Sequence, residues 1–145
     1  MARIFSTDST AFNNAASGSN NPRLFYVAGS LEVQGLVLMG GQNHDQGGAI
    51  KVEEGGELVA IDVVFRENLC TGVDTSGWGG DFGGGAVYSS GGPVALINSY
   101  FLSNVASSGD GNDVFFRWGY SWGNEARLNK IRIYGTTVPD LFIKE

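Results

Sequence analysis

The sequence predicts an all-β fold in which short strands form coils that stack along one axis, a β-solenoid. The first observation is an internal repeat: residues 47–70 read GGAIKVEEGGELVAIDVVFRENLC, and residues 84–106 read GGAVYSSGGPVALINSYFLSNVA. Repeats of this length are typical of stacked structural units. The second observation is a period-two alternation in short runs bounded by turn-forming residues. The third is the glycine content, 23 of 145 residues, which is about twice the usual share.

Matching the repeats position by position predicts about four coils of unequal length. The two clear copies are related by an offset of 36 residues, a shift of 27 back gives a first coil, and a shift of 32 forward from the third gives a fourth. Unequal lengths favour a β-solenoid, because insertions at its corners leave the strands unchanged. The matched positions are Leu31, Val33, Leu36, Leu38 and Gly41; Leu58, Ala60, Val63, Phe65 and Asn68; Val94, Leu96, Ser99, Phe101 and Asn104; and Ala126, Leu128, Ile131, Ile133 and Thr136.

The length of the chain is that of one domain. Terminal coils expose apolar faces and strand edges, which must be covered. We expect Ile4, Phe5 and Phe12 to plug the N-terminal end, and Leu141–Ile143 either to finish a last partial coil or to add a strand to a partner. The predicted parts of the single domain 1–145 are a cap at 1–21, coils at 22–137 and a tail at 138–145.

The motifs in the two clear copies resemble the repeats of the chlamydial polymorphic outer-membrane proteins and of related pectate-lyase-like β-helix proteins. Gly-Gly-Ala-aliphatic occurs at Gly47–Ile50 and Gly84–Val87, and Phe-x-x-Asn follows at Phe65–Asn68 and Phe101–Asn104. The resemblance covers residues 47–106. It implies a short right-handed parallel β-helix with a non-catalytic adhesive or scaffolding role.

The motif residues have a physical explanation in such a fold. Equivalent positions of neighbouring coils lie about 4.8 Å apart, so Phe65 should stack on Phe101, and Asn68 should form an amide ladder with Asn104. We therefore assign these residues a structural role and no chemistry. The structural repeat residues are Gly47, Gly48, Phe65, Asn68, Gly84, Gly85, Phe101 and Asn104.

Two insertions, Thr71–Gly83 and Asp110–Glu125, carry all three tryptophans. Aromatic side chains beside carboxylates on loops are typical of protein hot spots and carbohydrate platforms. The competing interpretation is that the loops fold back over the coils, and for Phe115 and Phe116 we favour continuation of a strand. The predicted binding residues for a protein partner or a glycan are Trp78, Phe82, Trp118, Tyr120 and Trp122.

Net charge and hydropathy limit the classes of partner that we expect. The formal net charge is −6, which argues against nucleic acid because phosphate binding needs a basic face. No run of 18 apolar residues predicts membrane insertion, and the N-terminus does not have the apolar core of a signal peptide. We expect either an intracellular or organellar assembly, or a processed cell-surface module.

The titratable residues predict no catalytic or metal centre, so we expect no enzyme, cofactor or bound metal. His44, the only histidine, lies in a predicted exposed corner, and Cys70, the only cysteine, in a small inward-facing position that suits a buried structural thiol. Asp110–Asp113 hints at calcium but does not match the EF-hand spacing.

Three functions follow from these observations. The first is a structural scaffold or linker that docks onto protein partners, and the second is a cell-surface adhesion or carbohydrate-binding module. The remote third is a β-helix polysaccharide lyase or hydrolase, which needs carboxylates gathered on one exposed strand face. The predicted outward stacks, Lys51 with Tyr88 and Arg66 with Leu102, gather none.

Overall fold

The computed structural model describes residues 3–6, 23–72, 82–108, 110–117 and 131–144, and this part of the chain forms short β-strands without a helix. The all-β prediction is therefore confirmed for the described residues. The strands are β1 (Arg3–Ser6), β2 (Phe25–Val27), β3 (Ser30–Gln34), β4 (Val37–Met39), β5 (Gln42–Asn43), β6 (Ile50–Val52), β7 (Glu57–Ile61), β8 (Val64–Arg66), β9 (Leu69–Cys70), β10 (Val87–Ser89), β11 (Val94–Ile97), β12 (Tyr100–Leu102), β13 (Val105–Ala106), β14 (Val114–Arg117), β15 (Ile131–Tyr134) and β16 (Leu141–Lys144).

These strands form four sheets, which the chain visits in a fixed order. Sheet 1 has the order β1-β3-β7-β11-β15, sheet 2 β16-β14-β10-β6-β2, sheet 3 β12-β8-β4 and sheet 4 β13-β9-β5. The strands β2–β5, β6–β9 and β10–β13 each run through sheets 2, 1, 3 and 4 in turn, so that each group makes one circuit. Pairing between successive circuits is parallel, an arrangement compatible with a β-helix.

The register between circuits confirms the predicted offsets of the first three repeats. Val94 pairs with Leu58 and Phe101 with Phe65. One circuit earlier, Leu31 pairs with the same Leu58 and Leu38 with the same Phe65. The strands stay in step although a longer connection separates the second and third repeats.

The predicted register of the fourth repeat is wrong. Ile131 pairs with Val94 and Ile133 with Leu96, which is an offset of 37 residues instead of 32. The alternating pattern of β15 fits either register. The predicted pairing therefore depended only on the length assumed for the preceding insertion. In the observed register Thr136 is not equivalent to Asn104, as the prediction had it. Its Oγ1 instead accepts a hydrogen bond from the Ser99 backbone N–H at 2.8 Å. Ala126 and Leu128 lie outside the described residues.

Both ends of the chain join the sheets. β1 pairs antiparallel with β3, placing Ile4 opposite Val33. β16 pairs parallel with β14, placing Leu141 opposite Val114. Two arrangements were predicted for the tail, and the structure shows it as a further strand of sheet 2. Phe12 lies outside the described residues.

The inward positions of the strands form one apolar core. Phe65 is fully buried, and its ring stacks on that of Phe101 with centroids 4.8 Å apart and planes 8° apart, as predicted. Leu38 occupies the same position in the first circuit. The core is thus a set of columns in which like residues of successive circuits pack on each other.

The corners depend on left-handed backbone. Gly47 and Gly84 have φ of +63° and +66°, and a Cβ at either position would come within 3.0 Å of a backbone carbonyl oxygen, that of Ile50 or Val87. Glycine is therefore required at the first position of the Gly-Gly-Ala motif. Another corner, between sheets 1 and 3, carries left-handed Asp62 (φ 53°).

The aromatic column predicts a large effect of truncation. Phe65→Ala should lower the free energy of unfolding by about 3–5 kcal/mol, because it leaves a cavity beneath Phe101. Leu102→Ala is the matched control: Leu102 lies beside Phe101 on β12 with 52% of its surface exposed, so its loss should change stability by under about 1 kcal/mol. Equilibrium urea unfolding measures both, and equal effects would contradict the assignment of Phe65 to the core.

Candidate functional site

A ladder of buried amides runs along the corner between sheets 3 and 4. Asn68 Nδ2 donates to the Leu38 carbonyl at 2.9 Å and to Asn104 Oδ1 at 3.0 Å, while Asn68 Oδ1 accepts from the Gly41 N–H at 2.9 Å. Asn104 Nδ2 then donates to Asp113 Oδ1 at 3.0 Å. The predicted amide ladder is therefore confirmed, and it ends on a carboxylate.

Side chains replace missing strands at this end of the ladder. Asp113 Oδ2 accepts from the Asp140 backbone N–H at 3.1 Å, and Asn112 Nδ2 donates to Asp140 Oδ2 at 2.5 Å. Asn112 Oδ1 in turn accepts from the backbone N–H of Ala106 at 2.8 Å. Because sheet 4 ends at β13 in the described residues, Asn112 Oδ1 supplies the Ala106 N–H with the acceptor that a further strand would have provided.

Residues 111–113 are a third, altered copy of the Gly-Gly-Ala corner, which the sequence analysis did not recognise. The Ala86 N–H donates to the Asp113 carbonyl at 3.2 Å, as the Ala49 N–H does to the Ala86 carbonyl at 2.9 Å. Gly111 has a φ of +58°. The available signal was the 27-residue offset from Gly84 to Gly111, the same as that between the first two repeats.

The carboxyl group of Asp113 is strained electrostatically. Only 5% of the residue is exposed, and burial raises its pKa, to which the nearby Asp140 adds. The hydrogen bonds from Asn104 and from the Asp140 N–H act in the opposite direction without cancelling the effect of burial. The carboxylate that ends the ladder therefore lies in surroundings that disfavour its charged form.

A second polar cluster lies on the outer side of sheet 2. Lys51 Nζ is 2.7 Å from Glu53 Oε1 and 5.6 Å from the centroid of the Tyr26 ring. Burial, together with the hydrogen bond to Glu53, raises the pKa of Tyr26 to about 12. Burial acts to raise the pKa of Glu53 as well, but the hydrogen bonds from Lys51 and Tyr26 outweigh it and lower the pKa. Both shifts keep Tyr26 neutral and Glu53 ionised at neutral pH, which suits a structural cluster.

Arg23 and Cys70 are structural too. Arg23 Nε donates to the Gln46 and Gly47 carbonyls at 3.2 and 3.0 Å, and desolvation lowers its pKa. Cys70 is buried, its Sγ lies 3.1 Å from the Asp45 carbonyl oxygen, and burial raises the pKa of the thiol. This agrees with the predicted structural thiol.

The predicted corner histidine is confirmed. The side chain of His44 is 75% exposed, and its Nδ1 lies 3.1 Å from Asp45 Oδ1. The neighbouring Asn43 Oδ1 accepts the Asp45 N–H at 2.9 Å, which stabilises the turn.

The predicted binding residues are placed only in part. Phe82 is half-buried, and its carbonyl accepts a hydrogen bond from Ser108 Oγ at 3.0 Å. Trp78, Trp118, Tyr120 and Trp122 lie outside the described residues, so the binding surface predicted from them stays a prediction.

The outer side of sheet 2 differs from its predicted exposure. Tyr88 pairs with Lys51 as expected, but it is fully buried and stacks on Phe115 with ring centroids 5.1 Å apart. Phe115 packs in turn against Phe142, 5.0 Å away. The outward stack of Lys51 with Tyr88 is therefore corrected: Tyr88, Phe115 and Phe142 form an aromatic column there, in which Tyr88 and Phe115 are buried. Phe116 is buried on the opposite side of β14, in agreement with strand continuation.

The outer side of sheet 3, by contrast, is apolar and exposed. We call its six outward residues the sheet 3 face; at its centre Arg66 pairs with Glu67, with Nε and Oε1 2.8 Å apart. Val105 of sheet 4 continues it with 48% exposure. The face consists of Val37 (61% exposed), Met39 (52%), Tyr100 (62%) and Leu102 (52%), with Val64 and Arg66 between them.

Neither a metal site nor a membrane helix is found in the described ranges. No group of three or more His, Cys, Asp or Glu side chains there could hold a metal ion. The same residues contain no helix of the length and hydropathy needed to cross a membrane.

Comparison with known proteins gives no relative. No family model matches the chain, and no curated protein or solved structure matches it significantly.

The amide ladder predicts a cost of removing one rung. Asn68→Ala should lower the free energy of unfolding by at least about 2 kcal/mol, since it leaves the buried Gly41 N–H and Leu38 carbonyl without this partner. Gln34→Ala, a half-buried outward amide on β3, is the control and should change stability by under about 0.5 kcal/mol. A thermal or urea unfolding series in which the two variants match would contradict the ladder.

Asp113 predicts a pH dependence. A raised pKa in the folded state gives stability that is complete below the pKa of the unfolded state, about 4, and is lost as pH rises through the folded pKa. The unfolding free energy of the wild type, less that of Asp113→Asn, should therefore fall from pH 3 towards neutral pH. Urea unfolding across that range tests this, and a difference that rises with pH would show that the hydrogen bonds dominate burial.

Proposed function

We propose that the chain is a short right-handed parallel β-helix of about four coils with capped ends, and that it acts as a non-catalytic scaffold or linker that docks onto protein partners in a larger assembly. Support for the architecture comes from three circuits that visit the four sheets in one order. The stacked Phe65 and Phe101 rings and the Asn68–Asn104 amide ladder add to that support.

The observation that carries the functional proposal is the sheet 3 face. Four of its apolar residues expose more than half of their surface, whereas the equivalent outward residues of sheet 2, Tyr88 and Phe115, are buried. Contiguous exposed apolar residues on a soluble domain are typical of protein interaction sites. The chain buries one flank and leaves another open, which is the arrangement expected of a module with a fixed partner.

The ion pair at the centre of the sheet 3 face favours a protein as its partner. Arg66 and Glu67 sit among Val64, Met39 and Leu102, so a docking partner must satisfy charged groups as well as cover apolar ones. Such a mixture of apolar contacts and an arginine is typical of interface hot spots. The aromatic insertions with Trp78 and Trp122 form the second part of the proposed contact surface.

Carbohydrate binding is the second candidate, and two residues favour it. Tyr100 and Tyr134 expose 62% and 59% of their surface, and exposed aromatic rings offer sugar rings a flat apolar platform. In this case the chain would be an adhesion or carbohydrate-binding β-helix module.

Affinity purification from native extract with Leu102→Arg and Ile143→Arg variants separates these functions. We expect the wild type to retain a stoichiometric protein partner and Leu102→Arg to lose most of it, because a charge replaces an exposed apolar contact. Ile143→Arg, at a position of sheet 2 that is 44% exposed, should retain the partner. Trp78→Ala and Trp122→Ala test the insertions in the same assay. Glycan binding without a protein partner, weakened by Tyr100→Ala and Tyr134→Ala, would favour the second candidate.

A further inference from the structure

One edge of sheet 3 has no neighbouring strand among the residues that the structure describes. The main-chain groups of Leu36 and Gly40 point from β4 towards β8, because the Val64 N–H bonds to the Leu36 carbonyl and the Gly40 N–H to the Arg66 carbonyl. Those of Leu38, midway between them, point the same way. In a parallel ladder the alternate residues then direct their N–H and C=O groups the other way. Val37 and Met39 therefore present their main-chain groups at the edge, and no residue of the described chain bonds to them.

At the opposite end of the stack, side chains bond to main-chain donors just before β12 and within β13 of the neighbouring sheet 4. Next to β12 and β13, Thr136 Oγ1 accepts the Ser99 N–H and Asn112 Oδ1 accepts the Ala106 N–H. Side chains thus occupy donors that a further strand would use. Among the described residues, β4 has no such protection.

The sequence of the open edge also has none of the usual protection. Residues 35–41 read GLVLMGG, without a charge or a proline, the devices by which proteins keep edge strands from pairing. Val37 and Met39 are 61% and 52% exposed. A strand that is apolar, unprotected and exposed is suited to pair with another strand.

The shape of this end selects the occupant. In sheet 1, β1 lies one strand beyond β3, whereas sheet 3 ends at β4 in the described residues. The edge is thus recessed by one strand spacing, about 4.8 Å, which accommodates a single strand beside β1. The corresponding end of a second copy carries its own projecting β1 and would not fit flush.

Size and charge agree with a single strand. A three-residue edge is roughly 10 Å long, and an interface confined to it is far smaller than the ~800 Å² per partner of a stable dimer. The left-handed corner before β8 carries the acidic Asp62, while Glu67 after β8 is already paired with Arg66, and the chain has a net charge of −6. A strand with basic flanks is therefore complementary.

We infer that the β4 edge accepts an extended segment of a protein partner, with apolar residues at alternate positions and basic residues beside them, as an added strand of sheet 3. Main-chain hydrogen bonds at Val37 and Met39 supply the pairing, and the apolar side chains of the segment extend the sheet 3 face. This inference rests on the proposed function and names the contact through which one partner binds.

The test is an NMR titration of the isotope-labelled chain with the acetylated and amidated peptide Lys-Val-Thr-Val-Thr-Val-Lys. We expect saturable shifts and slowed amide exchange at Val37 and Met39, and loss of both with a peptide that is N-methylated at alternate residues and cannot pair. Met39→Lys should weaken binding about tenfold or more, since it places a charge at the edge, while Ile143→Lys, at an exposed position of sheet 2, should not.

Three results would overturn the inference. They are no response at millimolar peptide, an equal response to the N-methylated peptide, and self-association of the chain through Val37 and Met39, which would make a second copy the occupant. If instead Met39→Lys loses peptide binding but retains the purified partner, the edge is not that partner's contact and the proposed function stands.

Discussion

The structure depends on one constraint: each circuit must return to the same place so that its backbone can bond to the circuit before it. Parallel pairing in four sheets meets this condition only if every corner turns in the same way each time. The left-handed residues at the corners achieve this, with Gly47, Gly84 and Gly111 at one corner and Gly35, Asp62, Asn98 and Gly135 at another. Aromatic stacking and the amide ladder are consequences of this register.

The ladder shows how the fold ends where the corner motif changes. In the complete circuits small residues, Ala49 and Ala86, occupy the position before the sheet 2 strand. At the equivalent position Asp113 receives the last amide of the ladder, and Asp140 follows it. Alanine suffices where another strand continues the hydrogen bonds, and a carboxylate is needed where the described strands stop. The raised pKa of Asp113 is the electrostatic consequence of that substitution.

The sequence predicts the repeated part well because it states the same pattern twice. Phe65, Phe101, Asn68 and Asn104 could be aligned, and their stacking followed. The register of Ile131 could not be obtained, since no motif precedes β15 and its alternation fits several offsets. Gly111–Asp113 was hidden by the two changed residues that give it its capping role.

The sequence also could not predict which of the outward residues are exposed. Tyr88 and Tyr100 both occupy outward positions on their strands, yet Tyr88 is fully buried and Tyr100 is 62% exposed. Alternation gives the side of a sheet on which a residue lies, whereas a second layer over that side depends on distant parts of the chain. The candidate surface therefore emerged only from the structure, and its edge only from the directions of backbone groups.

The connections between sheets 4 and 2 differ greatly in length while the strands on either side keep their register. They run from Asn43 to Ile50, from Cys70 to Val87 and from Ala106 to Val114. Since each doubling of a flexible loop costs only about 0.6 kcal/mol of closure entropy, the part of each connection that precedes the Gly-Gly-Ala corner can change in length and composition with little effect on the stack. It is the natural place for diversification, and for engineers a graft point where foreign loops can be displayed side by side at the spacing of successive strands.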